Sequence, residues 1–116
     1  MDIEEIRLYC LSKRAVTEGF PFGSDPLVFK VGGKIFALLS LEGEIRISLK
    51  CDPERAVDLR ERYDNVIPGY HLNKQQWNTI QLEKGVPSKL LMEWIDHSYD
   101  LIYDSLPKKA KEEIEK

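Results

Sequence analysis

The chain predicts an α+β fold. An antiparallel β-sheet, a meander of three strands plus at least one later strand, carries helices packed on one side, in the order α-β-β-β-α-β-α. Three observations lead there. The runs "LVFKV" and "KIFALLS" are joined by Gly32-Gly33, a two-residue hairpin signal, because glycine tolerates positive φ at both turn positions. The run "EIRISLK" alternates Ile45, Ile47 and Leu49 with Glu44, Arg46, Ser48 and Lys50, so one of its faces is buried and the other wet. Amphipathic helical patterns bracket the strands at both ends of the chain. Hairpin connections dominate, which argues against a doubly wound parallel sheet. The 116 residues make one domain with a single core.

The elements follow in order. "DIEEIRLYCLSKR" starts with Asp2 as N-cap and Glu5 three residues on, a capping-box spacing, and repeats Ile3, Ile6, Tyr9 and Cys10 at helical intervals. "TEGFPFGSDP" breaks any helix with two prolines and two glycines; its Phe20 and Phe22 are expected to anchor the loop onto the core. The meander follows, its second and third strands joined around Glu42-Gly43. In "CDPERAVDLRERYDN" Asp52 caps a second helix and Pro53 fits its first position, where the missing N–H costs nothing. Ala56, Leu59 and Tyr63 line its inner side, widened by Val57, while its alternating arginines and acids form a solvated face. "VIPGY" reads as a Pro-Gly turn, and the run from Trp77 to Leu82 as a strand. After the turn "EKGVPS", Leu91, Trp94, Ile95, Ser98 and Ile102 mark a long amphipathic helix. Pro107 ends or restarts it, and residues 107–116 read as a frayed, charged helical tail.

Composition narrows the function. With 42% hydrophobic and 32% charged residues the chain reads as globular. No apolar run approaches the roughly 20 residues that span a bilayer. The start, "MDIEEIRLYC", is acidic where a secretory leader is basic, so the expected location is cytoplasmic. Cys10 and Cys51 have no metal-like or redox-like spacing and are expected to be free thiols. A net charge of −3 excludes a globally basic nucleic-acid binder but not a local patch. From Leu27 to Lys50 the cations Lys30, Lys34, Arg46 and Lys50 face only Glu42 and Glu44.

Catalytic constellations are absent from the sequence: there is no GxSxG, GxxxxGK[ST], HExxH or paired CxxC pattern. His71 and His97 lack the spaced partners of a metal site. No cofactor and no enzyme activity are expected. Binding chemistry is better represented. Arg46, Ser48 and Lys50 share the wet face of one strand, and "HLNKQQW" at 71–77 crowds cations and amides into one turn. Lys74 could contact phosphate and Gln75 a base edge, or the turn could be a solvated one with His71 and Asn73 bonding the local backbone. If Ile80 and Leu82 face the core, Trp77 joins Thr79 and Gln81 on the polar side; if the strand starts one residue later, Trp77 tucks into the core. The second placement is the expected one, since large aromatics are usually mostly buried.

"FPFG" at 20–23, "FKVGGKIFALL" at 29–39, "SLKCDPERAVDLRERY" at 48–63, "PGYHLNKQQWNTIQL" at 68–82 and "SYDLIYDSLPKK" near the end together resemble the MmcQ/YjbR family of small bacterial proteins. The resemblance runs in order along nearly the whole chain, and the family pattern matches at His71, Leu72, Asn73, Lys74 and Trp77. It implies a CyaY-like fold with a double-wing motif, and DNA binding. The related frataxin comparison implies iron through an acidic first helix. Here that helix offers only Asp2, Glu4 and Glu5 beside Arg7, which argues against an iron role.

The functional expectation is a non-catalytic DNA-binding protein contacting DNA through a hairpin and the 71–77 turn. Lys74 and Lys50 would meet phosphates, with Arg46 and Lys34 as second candidates, and Asn73 and Gln75 would add polar contacts beside His71. The alternative is a protein-interaction module anchored by Trp77 or by Phe20 and Phe22.

Overall fold

The helix starts are written in the capping residues. The computed structural model describes residues 1–116. Helix α1 (Ile3–Leu11) opens with the full capping box: the Asp2 carboxylate accepts from the Glu5 amide at 2.8 Å and Glu5 accepts from the Asp2 amide at 3.0 Å. It buries Ile6 and Cys10, while Ile3 is left exposed. Helix α2 (Pro53–Arg62) starts on Asp52, whose carboxylate accepts from the Arg55 amide. Only Ala56 of this helix is fully buried; Val57, expected to widen the buried side, is half exposed because α2 meets only the β5–β6 end of the sheet.

Six strands form one sheet: β1 (Val16–Gly19), β2 (Leu27–Val31), β3 (Lys34–Ser40), β4 (Arg46–Lys50), β5 (Val66–Pro68) and β6 (Trp77–Gln81). Their spatial order is β1-β2-β3-β4-β6-β5 and every pairing is antiparallel. The expected meander and later strand are present. Strands β1 and β5 add to them, one from within the segment expected as a loop and one from the segment expected as a turn. Each is an edge strand of three or four residues, too short to show alternation.

Register explains the core. Leu27 pairs with Leu39, Leu39 with Ile47, Ile47 with Ile80 and Ile80 with Val66, so one apolar row crosses five strands on a single face. Onto that face pack α1, α2 and the long helix α3 (Ser88–Ser105), which contributes Leu91, Trp94, Ile95, Tyr99 and Ile102. Both cysteines are buried free thiols, and burial pushes the Cys10 thiol up to about 12. Pro107 starts a separate helix, α4 (Lys108–Glu115), in the segment expected as a charged tail; its Ala110 and Ile114 pack against the core. No helix is long and apolar enough to cross a membrane.

Two close contacts fix the sheet to the helices. The Ser98 hydroxyl, fully buried in the apolar stripe of α3, donates to the Phe36 carbonyl at 2.6 Å and accepts from the Lys50 amide at 2.9 Å. It sits where the β3–β4 ladder stops, just beyond the Ala37–Leu49 pair, and satisfies one strand group on each side. At the β2–β3 hairpin, Gly32 (φ 58°) and Gly33 (φ 80°) adopt the positive φ that the turn requires. A Cβ on Gly32 would come within 2.6 Å of Leu106, so the hairpin tip is held to the helical side.

Candidate binding groove on the open face of the sheet

All the helices lie on one side, so the opposite face is covered only by loops. Cross-strand partners share a face, which places Val28, Leu38, Ser40, Arg46, Ser48, Lys50, Trp77, Thr79 and Gln81 there. Loop 20–26 approaches this face from the β1–β2 side and loop 69–76 from the β5–β6 side. Between them lies a groove of about 390 Å³. Leu38, Ser40, Arg46 and Ser48 form its floor, Phe22, Asp25 and Pro26 one wall, and Tyr70, His71 and Leu72 the other.

The walls are built tightly. Asp25 accepts from the Ser40 hydroxyl at 2.6 Å and from the Leu41 amide at 2.7 Å, pinning loop 20–26 to the end of β3. Burial alone would raise its carboxyl, but the Leu41 amide, the Ser40 hydroxyl, the Glu42 amide and the Arg46 charge outweigh that and hold it below the usual carboxylate range. On the other wall, the Tyr70 amide donates to Thr79 Oγ1 at 2.9 Å, and Thr79 shares a 2.8 Å hydroxyl bond with Ser48. His71 adopts φ 59°, a left-handed conformation that costs a non-glycine residue about 1–3 kcal/mol. The fold holds it there through the Gly69 amide on the Trp77 carbonyl and the Lys74 ammonium on the Gly69 carbonyl.

The groove's cation is Arg46. Its guanidinium lies 4.5 Å from the centre of the Tyr70 ring, and the Tyr70 and His71 rings are 4.0 Å apart. Arg46 donates to the Glu44 carbonyl at 3.3 Å and belongs to none of the molecule's salt bridges. Most of its five N–H donors are therefore free to meet an anion. An arginine stacked on tyrosine, bordered by apolar side chains, can hold a planar group together with a phosphate or carboxylate.

The candidate residues from the sequence separate into three groups. Arg46 and His71 meet in the groove, and Lys50 lies on the same face, cross-strand from Trp77. Asn73, Lys74 and Gln75 are exposed but occupied in holding the loop. The Asn73 side chain accepts from the Gln75 amide at 2.9 Å, Lys74 donates to Gly69, and the Lys74 carbonyl accepts from Arg60 at 2.8 Å. Lys34 pairs with the core residue Val31 and so projects on the helical side, away from the other cations.

Two aromatic expectations are corrected. Phe20 and Phe22, expected on the core, are 49% and 64% exposed. Strand β1 carries their loop past the sheet edge onto the open face, where no helix covers it. Trp77, expected in the core, is half-buried on the open face, because β6 starts at Trp77 itself and its register with Lys50 sets the side. It packs against the loop instead: a Cβ on Gly69 would come within 2.7 Å of the Trp77 Cβ. Tyr70, Leu72, Phe22 and Asp25 were not singled out from sequence as site residues. One signal did point to them. "LVFKV" and "KIFALLS" are apolar on both faces, so a sheet with helices on one side needs loops over the other.

Comparison with known proteins adds a family. The model of the family described as YjbR matches residues 11–101, a span that includes every groove residue. Among curated relatives, the uncharacterized protein YbdF of Escherichia coli O157:H7 is 38% identical over 96 residues, 82% of this chain and 79% of that protein. The uncharacterized protein YjbR of Escherichia coli K12 is 30% identical over 112 residues, 96% and 95% of the two chains. Among solved structures, a Deinococcus radiodurans protein with the DUF419 domain superposes with a TM-score of 0.89 at 37% identity, covering 97% of this chain and 86% of that one. A Pseudomonas syringae protein gives 0.77 at 26% identity, covering 88% and 99%.

Proposed function

Since the chain belongs to the YjbR family, we propose that it is a non-catalytic DNA-binding protein that takes its ligand on the open face of the sheet. The observation that carries this is Arg46, in no direct salt bridge and stacked on Tyr70, in a groove whose one carboxylate, Asp25, is engaged by Ser40 and Leu41. Lys50, four residues along the same strand face, supplies a second cation. Asp25 is ionised and engaged by its two donors, a structural use of a carboxylate rather than an acid–base one. Arg46 and Lys50 are the leading phosphate contacts in this reading. His71 adds a polar contact, and Lys74 is a peripheral cation.

The test is a salt titration of fluorescence anisotropy with a labelled duplex and a labelled single strand of one sequence. Removing one phosphate-binding cation, by Arg46→Gln or by Lys50→Gln, should flatten the log–log salt slope by about one unit. Absence of binding to either oligonucleotide at low salt ends the reading.

A protein-interaction role is the second reading, favoured by the exposed Phe20 and Phe22 and by the net charge of −3. It calls for no DNA binding, together with an association in sedimentation experiments that Phe22→Ser removes and Arg46→Gln leaves intact.

A further inference from the structure

We infer that the groove holds single-stranded DNA in preference to duplex, with a base seated beside Tyr70 and the phosphates running along β4 from Arg46 to Lys50. This rests on the DNA-binding reading above and sharpens it. Duplex recognition needs an element that enters a groove of the double helix, commonly a helix or a two-stranded ribbon. Here every helix packs on the far side of the sheet. The two tight hairpin tips, β2–β3 and β3–β4, are poorly suited as well. The β2–β3 tip carries Lys34 on the helical side and is held there against Leu106, while the β3–β4 tip carries Glu42 and Glu44, which repel phosphate.

The open face has the opposite character. Its groove lies between two loops and encloses about 390 Å³, room for a base that has left its stack. Tyr70 is 52% exposed and Phe22 more so, offering planar surface at the rim. Stacking on such surfaces is tolerant of base identity. Further along, Trp77 stands cross-strand from Lys50, so an aromatic residue and a cation share that end of the face. Arg46 and Lys50 are four residues apart on one strand, about 13 Å at the rise of a β-strand. That distance covers about four stacked nucleotides at 3.4 Å each. Asp25, the groove's carboxylate, turns its oxygens to Ser40 and Leu41 and stays an anion engaged in the loop wall.

Fluorescein-labelled dT8 and a hairpin duplex with an eight-pair stem separate the possibilities, measured by anisotropy at one low salt concentration. The expected result is at least tenfold tighter binding of dT8, weakened about tenfold by Tyr70→Ala and by Arg46→Gln, retained by Tyr70→Phe and unaffected by Lys34→Ala. Saturating dT8 should also quench indole fluorescence, and Trp77→Phe should remove that quenching while buried Trp94 remains. Tyr70 is exposed on a loop, so Tyr70→Ala should keep the thermal unfolding midpoint of the parent protein. Equal or tighter duplex binding overturns the single-strand inference while leaving DNA binding intact. Binding of dT8 that ignores both Tyr70→Ala and Arg46→Gln overturns the site. Binding of neither probe removes the underlying reading.

Discussion

Replacing Ser98 by alanine should be among the most damaging single changes to this sheet, although it removes one oxygen atom. The Ser98 hydroxyl sits between the Phe36 carbonyl and the Lys50 amide, at 2.6 and 2.9 Å, in a position with no solvent access. Alanine leaves both backbone groups buried and unpaired, and each such group costs about 1–3 kcal/mol. Partial closure of the strand ends recovers some of that, giving an expected loss of about 3 kcal/mol. This is a large share of the about 5–15 kcal/mol that stabilises an ordinary domain. Urea unfolding followed by circular dichroism should show a midpoint lowered by about 1–2 M with unchanged slope, and the thermal midpoint should fall by about 12 °C. Ser105→Ala is the control, since that hydroxyl donates to the Ile102 carbonyl in the part-buried last turn of the same helix, and its loss leaves one acceptor and no amide donor unpaired, for a smaller expected cost. A loss below about 0.5 kcal/mol for Ser98→Ala would refute the reasoning. It would mean that β3 and β4 close on each other without help and that the hydroxyl is a passenger.

Two further changes test the start of α2 and the Tyr70–Leu72 wall of the groove, alongside the salt-slope and single-strand experiments above. His97 Nε2 accepts from the Asp52 amide at 3.1 Å at the start of α2, and a protonated imidazole cannot do so. Burial first, then the Arg55 charge, lower its pKa against the opposing pull of Asp52 and Asp100. The unfolded chain therefore binds the proton more readily. Stability should be full above the unfolded value of about 6.5 and fall as pH drops below it. Urea midpoints between pH 7.5 and 5 should show that loss in the parent and a flatter profile in His97→Gln. Gly69→Ala would bring a Cβ to 2.7 Å from the Trp77 Cβ and 3.0 Å from its carbonyl oxygen, so the Tyr70–Leu72 wall must shift. The expected cost is about 1–3 kcal/mol in chemical denaturation, with weakened oligonucleotide binding. An unchanged midpoint would mean that the loop yields freely.

Legibility in the sequence followed the length and regularity of each signal. The Gly32-Gly33 hairpin and the Asp2 and Asp52 caps are local chemistry, and each forms as read; β4 alternates its faces as read, but the face expected to be wet buries Ser48 beneath the loops. Strand β5 is three residues ending in proline and β1 is four residues including glycine; neither can announce itself by period. The aromatics misled for a different reason. Burial preference says that Phe20, Phe22 and Trp77 seek cover, but not which side of the sheet provides it, and that depended on where the short edge strands turned the chain. The crowded "HLNKQQW" turn suggested a ligand surface by composition. Part of its side-chain polarity is consumed internally, by Asn73 on the Gln75 amide and Lys74 on the Gly69 carbonyl. What it contributes is the posture of Tyr70 and His71, which long-range pairing with Thr79 and Trp77 determines.

The two short edge strands also bear on strand addition at the margins of the sheet. An exposed strand edge is a template for another chain, and a long flat one invites filaments. Here one margin is three residues long and ends at Pro68, which has no N–H to offer. The other is four residues long and carries Glu18, whose carboxylate is held by Arg7 at 2.6 Å. Each margin offers few free backbone groups to a foreign strand. Growth by strand addition has little to build on at either end, and the larger surface open to a partner is the side chains of the open face, where selectivity resides.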